Sequence, residues 1–210
     1  KWFSPSPRRH APRRSLPMEP MQTEERRLTV ERNVPVDALY MAFHMCSRNH
    51  PDYYAFDMLS DLLSSGRSSR FVQHLVQDKQ IFNSIDAYIS GSIDNGLFHI
   101  VGKPAPEKTL EEAEKAIWEE LALLTEGSID ENELEKVKNR YESEQIFNNL
   151  NYLNVATNLA YFELTGKAED INNEVNKYRS VTAGQIKEAA QKTFVRENCS
   201  TLYYKSNLPT

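Results

Sequence analysis

Cysteine is nearly absent: Cys46 and Cys199 are the only two in 210 residues, and both sit inside apolar, strand-like runs. Thiols so placed argue for buried side chains rather than a disulfide framework or a thiolate metal site, and they leave the redox compartment open. Long apolar runs are missing as well. Nothing approaches the roughly 20 residues needed to cross a bilayer, and no signal peptide opens the chain. A basic excess is lacking too: 25 Lys and Arg stand against 30 Asp and Glu, a net charge of -5. The acidic residues are spread along helical patterns, which argues against a protein that binds nucleic acid by neutralising phosphates. The chain has no internal repeat and no low-complexity tract. What it does have is 40% hydrophobic residues with 10 Tyr and 9 Phe, enough for one well-packed domain.

Residues 1–25 hold Pro5, Pro7, Pro12, Pro17 and Pro20 and no periodic apolar pattern, so they read as a linker. Arg8, Arg9, Arg13 and Arg14 make it a solvated basic connector, and Trp2 and Phe3 read as the end of a preceding element. Residues 26–210 read as the domain. RLTVERNV alternates Leu28, Val30 and Val34 with polar residues, as an edge strand does, whereas DALYMAFHMC is apolar on both faces and suits a central strand. His44 and Cys46 share a face of that strand. A metal site needs a third ligand at a familiar spacing, none follows, and a packed core pair is expected.

His50-Pro51-Asp52 opens a helix that buries Phe56, Leu59, Leu62 and Leu63, and Gly66 follows, where a positive φ closes it. Ser68 or Ser69 is placed to cap the next helix, which turns Phe71, Leu75 and Val76 inward. The helix before GRSSR rules out a phosphate loop. The stretch reads as a corner between packed helices, with Arg67 and Arg70 making surface or interdomain contacts. His74 and Asp78, four apart, read as a solvated pair.

NSIDAYISGS and GLFHIVGKPA form a hairpin with its tight turn at Ile93-Asp94-Asn95-Gly96. Tyr88, Phe98 and His99 are candidates for a ligand surface, weighed against aromatic cover for helices. Thr109 with Glu112 is a capping box, leading Leu110, Ala113, Ile117, Leu121 and Leu124 to a stop at Gly127. Asp130 with Glu133 looks like a second box. It opens a stripe of Leu134, Val137, Tyr141, Leu150 and Leu153 that runs to Gly166, with a break near Asn148-Asn149. Glu131, Glu135, Lys138 and Glu142 fall opposite that stripe, so ENELEKVKNRYESE reads as a wet helix face rather than acid–base machinery. A short helix over 171–178, a third box at Thr182 and Gln185, and a final strand at CSTLYY complete an α+β pattern.

That succession, from RLTVERNVPVDALYMAFHM through HPDYYAFDMLSDLLSSGRSSRFVQHLVQDKQ and TLEEAEKAIWEELALLTEGSIDENELEKVKN to VTAGQIKEAAQKTF and NCSTLYY, resembles the non-catalytic second domain of M16 zinc peptidases, of the pitrilysin and mitochondrial-processing-peptidase type. The resemblance covers about residues 25–205. It implies a LuxS/MPP-like α/β roll, with a mixed, largely antiparallel sheet and helices packed on one face. It also implies a preceding homologous catalytic domain, joined through residues 1–25, so that the two close like a clamp around an extended peptide.

The family's zinc site is H-x-x-E-H on a helix of the first domain. None of His10, His44, His50, His74 and His99 has a second histidine four residues away. No catalytic or metal-ligating residue is therefore assigned here, and zinc is expected in the upstream domain. Second domains of many members present an Arg-x6-Tyr pair to the substrate. The aligned positions here are Val76 and Asn83, so no substrate-binding residue is assigned, and a partner supplies the pair or the parent is partly degenerate. The function implied is the substrate-enclosing domain of an M16 zinc metalloendopeptidase, inactive alone. The alternative is a domain of an inactive M16-like partner subunit serving as an interaction scaffold. An unrelated α+β binding module is the third reading, decided by whether two helices pack on one face of a mixed sheet directly after the second strand. The partners expected are the catalytic domain and an extended peptide, with no nucleic acid or membrane span, in cytoplasm or periplasm.

Overall fold

Leu39, Met41, Phe43 and Met45 alternate with more exposed neighbours along Ala38–Ser47, and this period of two makes β2 the strand around which the sheet is organised. The computed structural model describes residues 17 and 19–208, so Trp2, Phe3, Arg8, Arg9, Arg13 and Arg14, read above as the end of a preceding element and a basic connector, lie outside the described residues. The sheet order is β1-β5-β2-β4-β3, with β1 at Arg26–Arg32, β3 at Phe82–Ser90, β4 at Asn95–Pro104 and β5 at Cys199–Ser206. β1 runs parallel to β5, and every other neighbouring pair is antiparallel. This is the mixed, largely antiparallel α+β sheet the sequence implied, with β1 at an edge and β2 in the middle.

Helix α1 (Tyr53–Ser64) and a π-helix (Phe71–Asp78) follow β2 directly, which is the chain path that separates this fold from an unrelated module. After β4 come α2 (Leu110–Glu126), α3 (Glu131–Asn148), α4 (Tyr152–Thr165), a 3-10 turn (Ala168–Asn173), α5 (Glu174–Ser180) and α6 (Ala183–Thr193). α1 lies against β3 and is flanked by α3, α5 and α6, while α2 packs on β2 and β4. Phe43, Phe71, Phe82 and Phe98 fill the layer between helices and sheet, and Phe194 meets Phe43 and Phe98 edge-on at 5.2 and 5.1 Å.

The capping boxes at Thr109/Glu112 and Thr182/Gln185 form as expected. Asp130 caps α3 through the Asn132 amide at 3.1 Å, but Glu133 does not close a box. It turns instead to Arg70, whose Nε and Nη2 each donate to it at 2.9 Å. A bidentate guanidinium partner outbids a single backbone amide for the carboxylate.

Other expectations shift for equally local reasons. The hairpin loop lies at residues 91–94, because Asn95 and Gly96 continue β4 to pair with Ser47 and Met45 beyond the end of β3. The helix placed at 171–178 begins at Glu174, after the 3-10 turn. Lys138 is 9% exposed rather than on a wet face, its stem packed and its Nζ 3.6 Å from Glu135. The apolar stripe does not run through to Gly166: Leu134 and Val137 are buried, but Leu150 and Leu153 stand in solvent beyond the break at Asn149–Asn151.

Gly66 has φ +89°, the left-handed conformation expected at the corner, and a Cβ there would lie 3.2 Å from Arg140 Nη1. Neither serine caps the π-helix with its side chain; Ser69 Oγ donates to the Gly66 carbonyl at 2.7 Å and ties the corner to itself. Gly66→Val is expected to destabilise the fold by about 2 kcal/mol, since a β-branched residue is strained at positive φ. A melt matching the parent would show that the corner tolerates a side chain.

Candidate functional site

The helices cover one face of the sheet and leave the other without a helix over it among the described residues. That open face mixes apolar and aromatic side chains with polar ones such as Asp86, Ser200 and Arg26. Register places Asp86, Val101, Tyr40, Leu202 and Leu28 in one row across all five strands, with Tyr40 and Leu28 40% and 61% exposed. The adjacent row carries Tyr88, His99, Ala42 and Ser200. Tyr40 and Tyr204 meet edge-on at 6.5 Å. An antiparallel sheet facing water alone would alternate towards polar side chains on this side.

The three aromatic candidates of the hairpin divide between the faces. Phe98 is fully buried under the helices and is no ligand surface, because alternation along β4 turns it to the core. Tyr88 and His99 stack on the open face, ring centroids 4.9 Å apart, and His99 Nε2 lies 3.0 Å from Ser90 Oγ. Burial holds the His99 imidazole below its usual pKa, so at neutral pH it is uncharged. His44 belongs to this face too, half-buried, since the odd-numbered residues of β2 take the helix side; Cys46, at a shift in the pairing of β2 with β4, is half-buried and packs against the core as expected. Burial pushes the thiols of Cys46 and Cys199 up to about 11, which leaves neither a ready thiolate.

The GRSSR corner and the π-helix after it lie in the helix layer. Arg70 makes the intradomain pair with Glu133 described above, not an interdomain contact. His74 Nδ1 sits 2.8 Å from Glu120 Oε1 on α2, so its partner is a buried carboxylate and not Asp78. The second oxygen of Glu120 is buried without a protein partner. Val76 is half-buried on the π-helix and Asn83 exposed on β3; the structure brings no arginine or tyrosine to either position.

Two ionic clusters were invisible to sequence reading. On α2, buried Glu114 accepts from Arg27 Nη1 and Nη2 at 2.9 and 2.6 Å, from Tyr203 Oη at 2.6 Å and from Trp118 Nε1 at 3.2 Å. Under α5, Glu174 accepts from Arg48 and from Tyr54 Oη, and Tyr178 Oη donates to Asp57. Burial raises the Asp57 carboxyl, while the Tyr178 hydroxyl pulls it the other way. One turn on, burial and the neighbouring Asp57 push Asp61 up to about 6. A raised carboxyl favours the protonated form in the folded state, so the contribution of Asp61 to stability falls as pH rises through about 6. Among the carboxylates expected on the wet face of α3, Glu135 and Glu142 pair with Arg179 of α5.

Among the described residues no three His, Cys, Asp or Glu side chains come together as a metal-holding group, and none of the helices is long and apolar enough to cross a membrane. With no paired histidines one turn apart, these residues do not fit a catalytic zinc, and no chemical step is assigned to them.

Comparison with known proteins gives a consistent result. A family model described as the peptidase M16 inactive domain matches residues 1–141. The "Uncharacterized zinc protease YmxG" of Bacillus subtilis (strain 168) is 24% identical over 213 residues, covering 100% of this chain and 51% of that protein. The zinc protease PqqE of Helicobacter pylori is 23% identical over 188 residues, 89% of this chain and 42% of that protein. The crystal structure of a protease from Helicobacter pylori superposes with a TM-score of 0.87 at 22% identity, covering 93% of this chain and 48% of the other. The chain spans about half the length of the curated relatives it matches.

Proposed function

The chain belongs to the peptidase M16 inactive-domain family, and from that premise we propose that it is the substrate-enclosing half of a zinc metalloendopeptidase whose preceding domain holds the metal. The family match over residues 1–141 is the observation that carries this reading. The relatives' names supply the zinc and the proteolysis, and their twofold greater length leaves room for a second domain of this size.

In this reading the open sheet face turns towards the enclosed peptide. Its rows of Tyr40, Val101 and Leu202 and of Tyr88 and His99 supply apolar and aromatic contact that excludes water, while bond cleavage belongs to the neighbour. Residues 1–25 join the halves. The domain contributes confinement and orientation, which would hold the peptide against the neighbouring domain that carries the zinc.

The test is a peptidase assay on the parent polypeptide with an extended fluorogenic peptide. Cleavage that a zinc chelator abolishes is expected, and Tyr40→Asp should lower kcat/KM by about tenfold or more, chiefly through KM. A parent that lacks paired zinc-binding histidines and cleaves nothing would favour the scaffold reading instead. That second reading has one observation behind it: Val76 and Asn83 stand where the family's Arg-x6-Tyr pair would be.

A further inference from the structure

Helix α4 spans 14 residues without one buried side chain. Yet Tyr152–Thr165 carries a single charge, Glu163, and a surface helix with that composition ordinarily buries an apolar stripe. Among the described residues its only substantial packing is on the 3-10 turn that follows it. The exposed surface continues across the break onto the end of α3: Phe147, Leu150, Leu153 and Leu164 are each 70–74% exposed, Ile146 61% and Tyr152 90%. Side chains of this size at this exposure present on the order of the ~800 Å² that one partner gives to a standard interface. That exceeds the few hundred Å² of contiguous apolar surface a soluble monomer commonly shows.

We propose that the exposed apolar surface of α4 and the end of α3 is where the preceding catalytic domain of the same polypeptide docks. The proposal rests on the reading under Proposed function and adds to it the place where the two halves hold each other. Three observations select this occupant. The relatives are about twice as long as this chain, so a domain of matching size is available to cover the patch. The patch is almost uncharged, which suits an apolar protein surface and offers nothing to a nucleic acid or a strongly charged peptide. The third is the tether: Gln22 is bonded to β5 at Cys199 and Ser200, and the residues before it reach up to about 70 Å when extended, so their attachment there does not keep a neighbour from α4. A tethered domain meets the patch at an effective concentration in the millimolar range, and a free second copy at micromolar concentration does not compete with it.

The experiment uses the full-length parent with a specific protease site placed within residues 1–25. After cutting, the two halves of the wild type should co-elute on gel filtration. In Phe147→Asp/Leu153→Asp they should separate, with the dissociation constant between halves raised about a hundredfold or more. Both residues face solvent in this domain, and an unchanged melting temperature of the purified C-terminal half confirms that it still folds. Halves that stay together in the double variant would overturn the docking surface while leaving the enclosure reading intact. Wild-type halves that never associate would sink the enclosure reading itself. A parent dimer that falls to monomers in the variant, its halves still joined, would show the occupant to be a second copy and overturn the proposal.

Discussion

Glu174→Ala is expected to destabilise the fold by about 3–5 kcal/mol, the range found when one partner of a buried ion pair is removed. Glu174 is 6% exposed and holds Arg48, whose side chain is 14% exposed, so α5 is bonded to the end of β2 through two groups that water hardly reaches. The guanidinium also lies over the Tyr53 ring at 4.2 Å and the Tyr54 ring at 5.4 Å, and Tyr54 Oη donates to the second oxygen of Glu174 at 3.1 Å. Alanine would leave a buried cation without a counter-charge and a phenol without its acceptor. The stacked Tyr141–Tyr178 pair and the Tyr178–Asp57 bond next to it would remain. Thermal melting should therefore fall by roughly 10 °C for a domain of this size. Glu174→Gln, which keeps an acceptor for the tyrosine, should lose less. Equal melting of the alanine variant and the parent would mean that the pair contributes no net stability and that hydrophobic packing alone holds α5.

The architecture was legible in the sequence because period and punctuation agreed there. Alternation in DALYMAFHMC, the boxes at Thr109 and Thr182, and Gly66 after Leu63 each depend on neighbours within a few residues. Where the structure departs, a distant partner decided. Glu133 left its cap for Arg70, 63 residues away, and His74 ignored Asp78 for Glu120 across a helix pair. The pairs Arg27–Glu114 and Arg48–Glu174 span 87 and 126 residues and carry no local signature. Acidic residues at those positions look like any other helical carboxylates until the fold buries them.

The open face and the exposed surface of α4 with the end of α3 were misread for a different reason. An apolar residue signals burial, but it does not say by what. Leu150 and Leu153 extend the periodic stripe of α3, and the pattern is sound as a statement that they need cover. Among the described residues nothing supplies it. His44, read as core, faces the uncovered side of the sheet for the same reason. A domain that works as one half of a larger body keeps part of its hydrophobic pattern for the missing half, so the places where the pattern overshoots this fold are those that point to a partner.

Glu114→Ala is the second large expected effect, about 3 kcal/mol, and pH separates it from ordinary packing loss. The carboxylate is the acceptor for Arg27, Tyr203 and Trp118 at once, joining α2 to β1 and β5, and its removal strands a buried hydroxyl and an indole N–H. Arg27 suffers less, being partly exposed and still paired with Glu25 at 2.7 Å. Burial opposes ionisation of Glu114, but the guanidinium and the two neutral donors outweigh it and hold the carboxyl down to about 2, against the ordinary 4.5. A carboxyl with a lowered folded-state pKa stabilises fully above its unfolded value and loses that contribution as pH falls through the folded one. The gap in unfolding free energy between wild type and Glu114→Ala, measured by urea titration, should therefore stay flat from pH 7 to about pH 5, shrink below 4.5, and approach its packing remainder near 2. A gap that holds constant down to pH 3 or widens as the solution is acidified would mean that the charge on Glu114 is not what ties the helix layer to the parallel edge of the sheet.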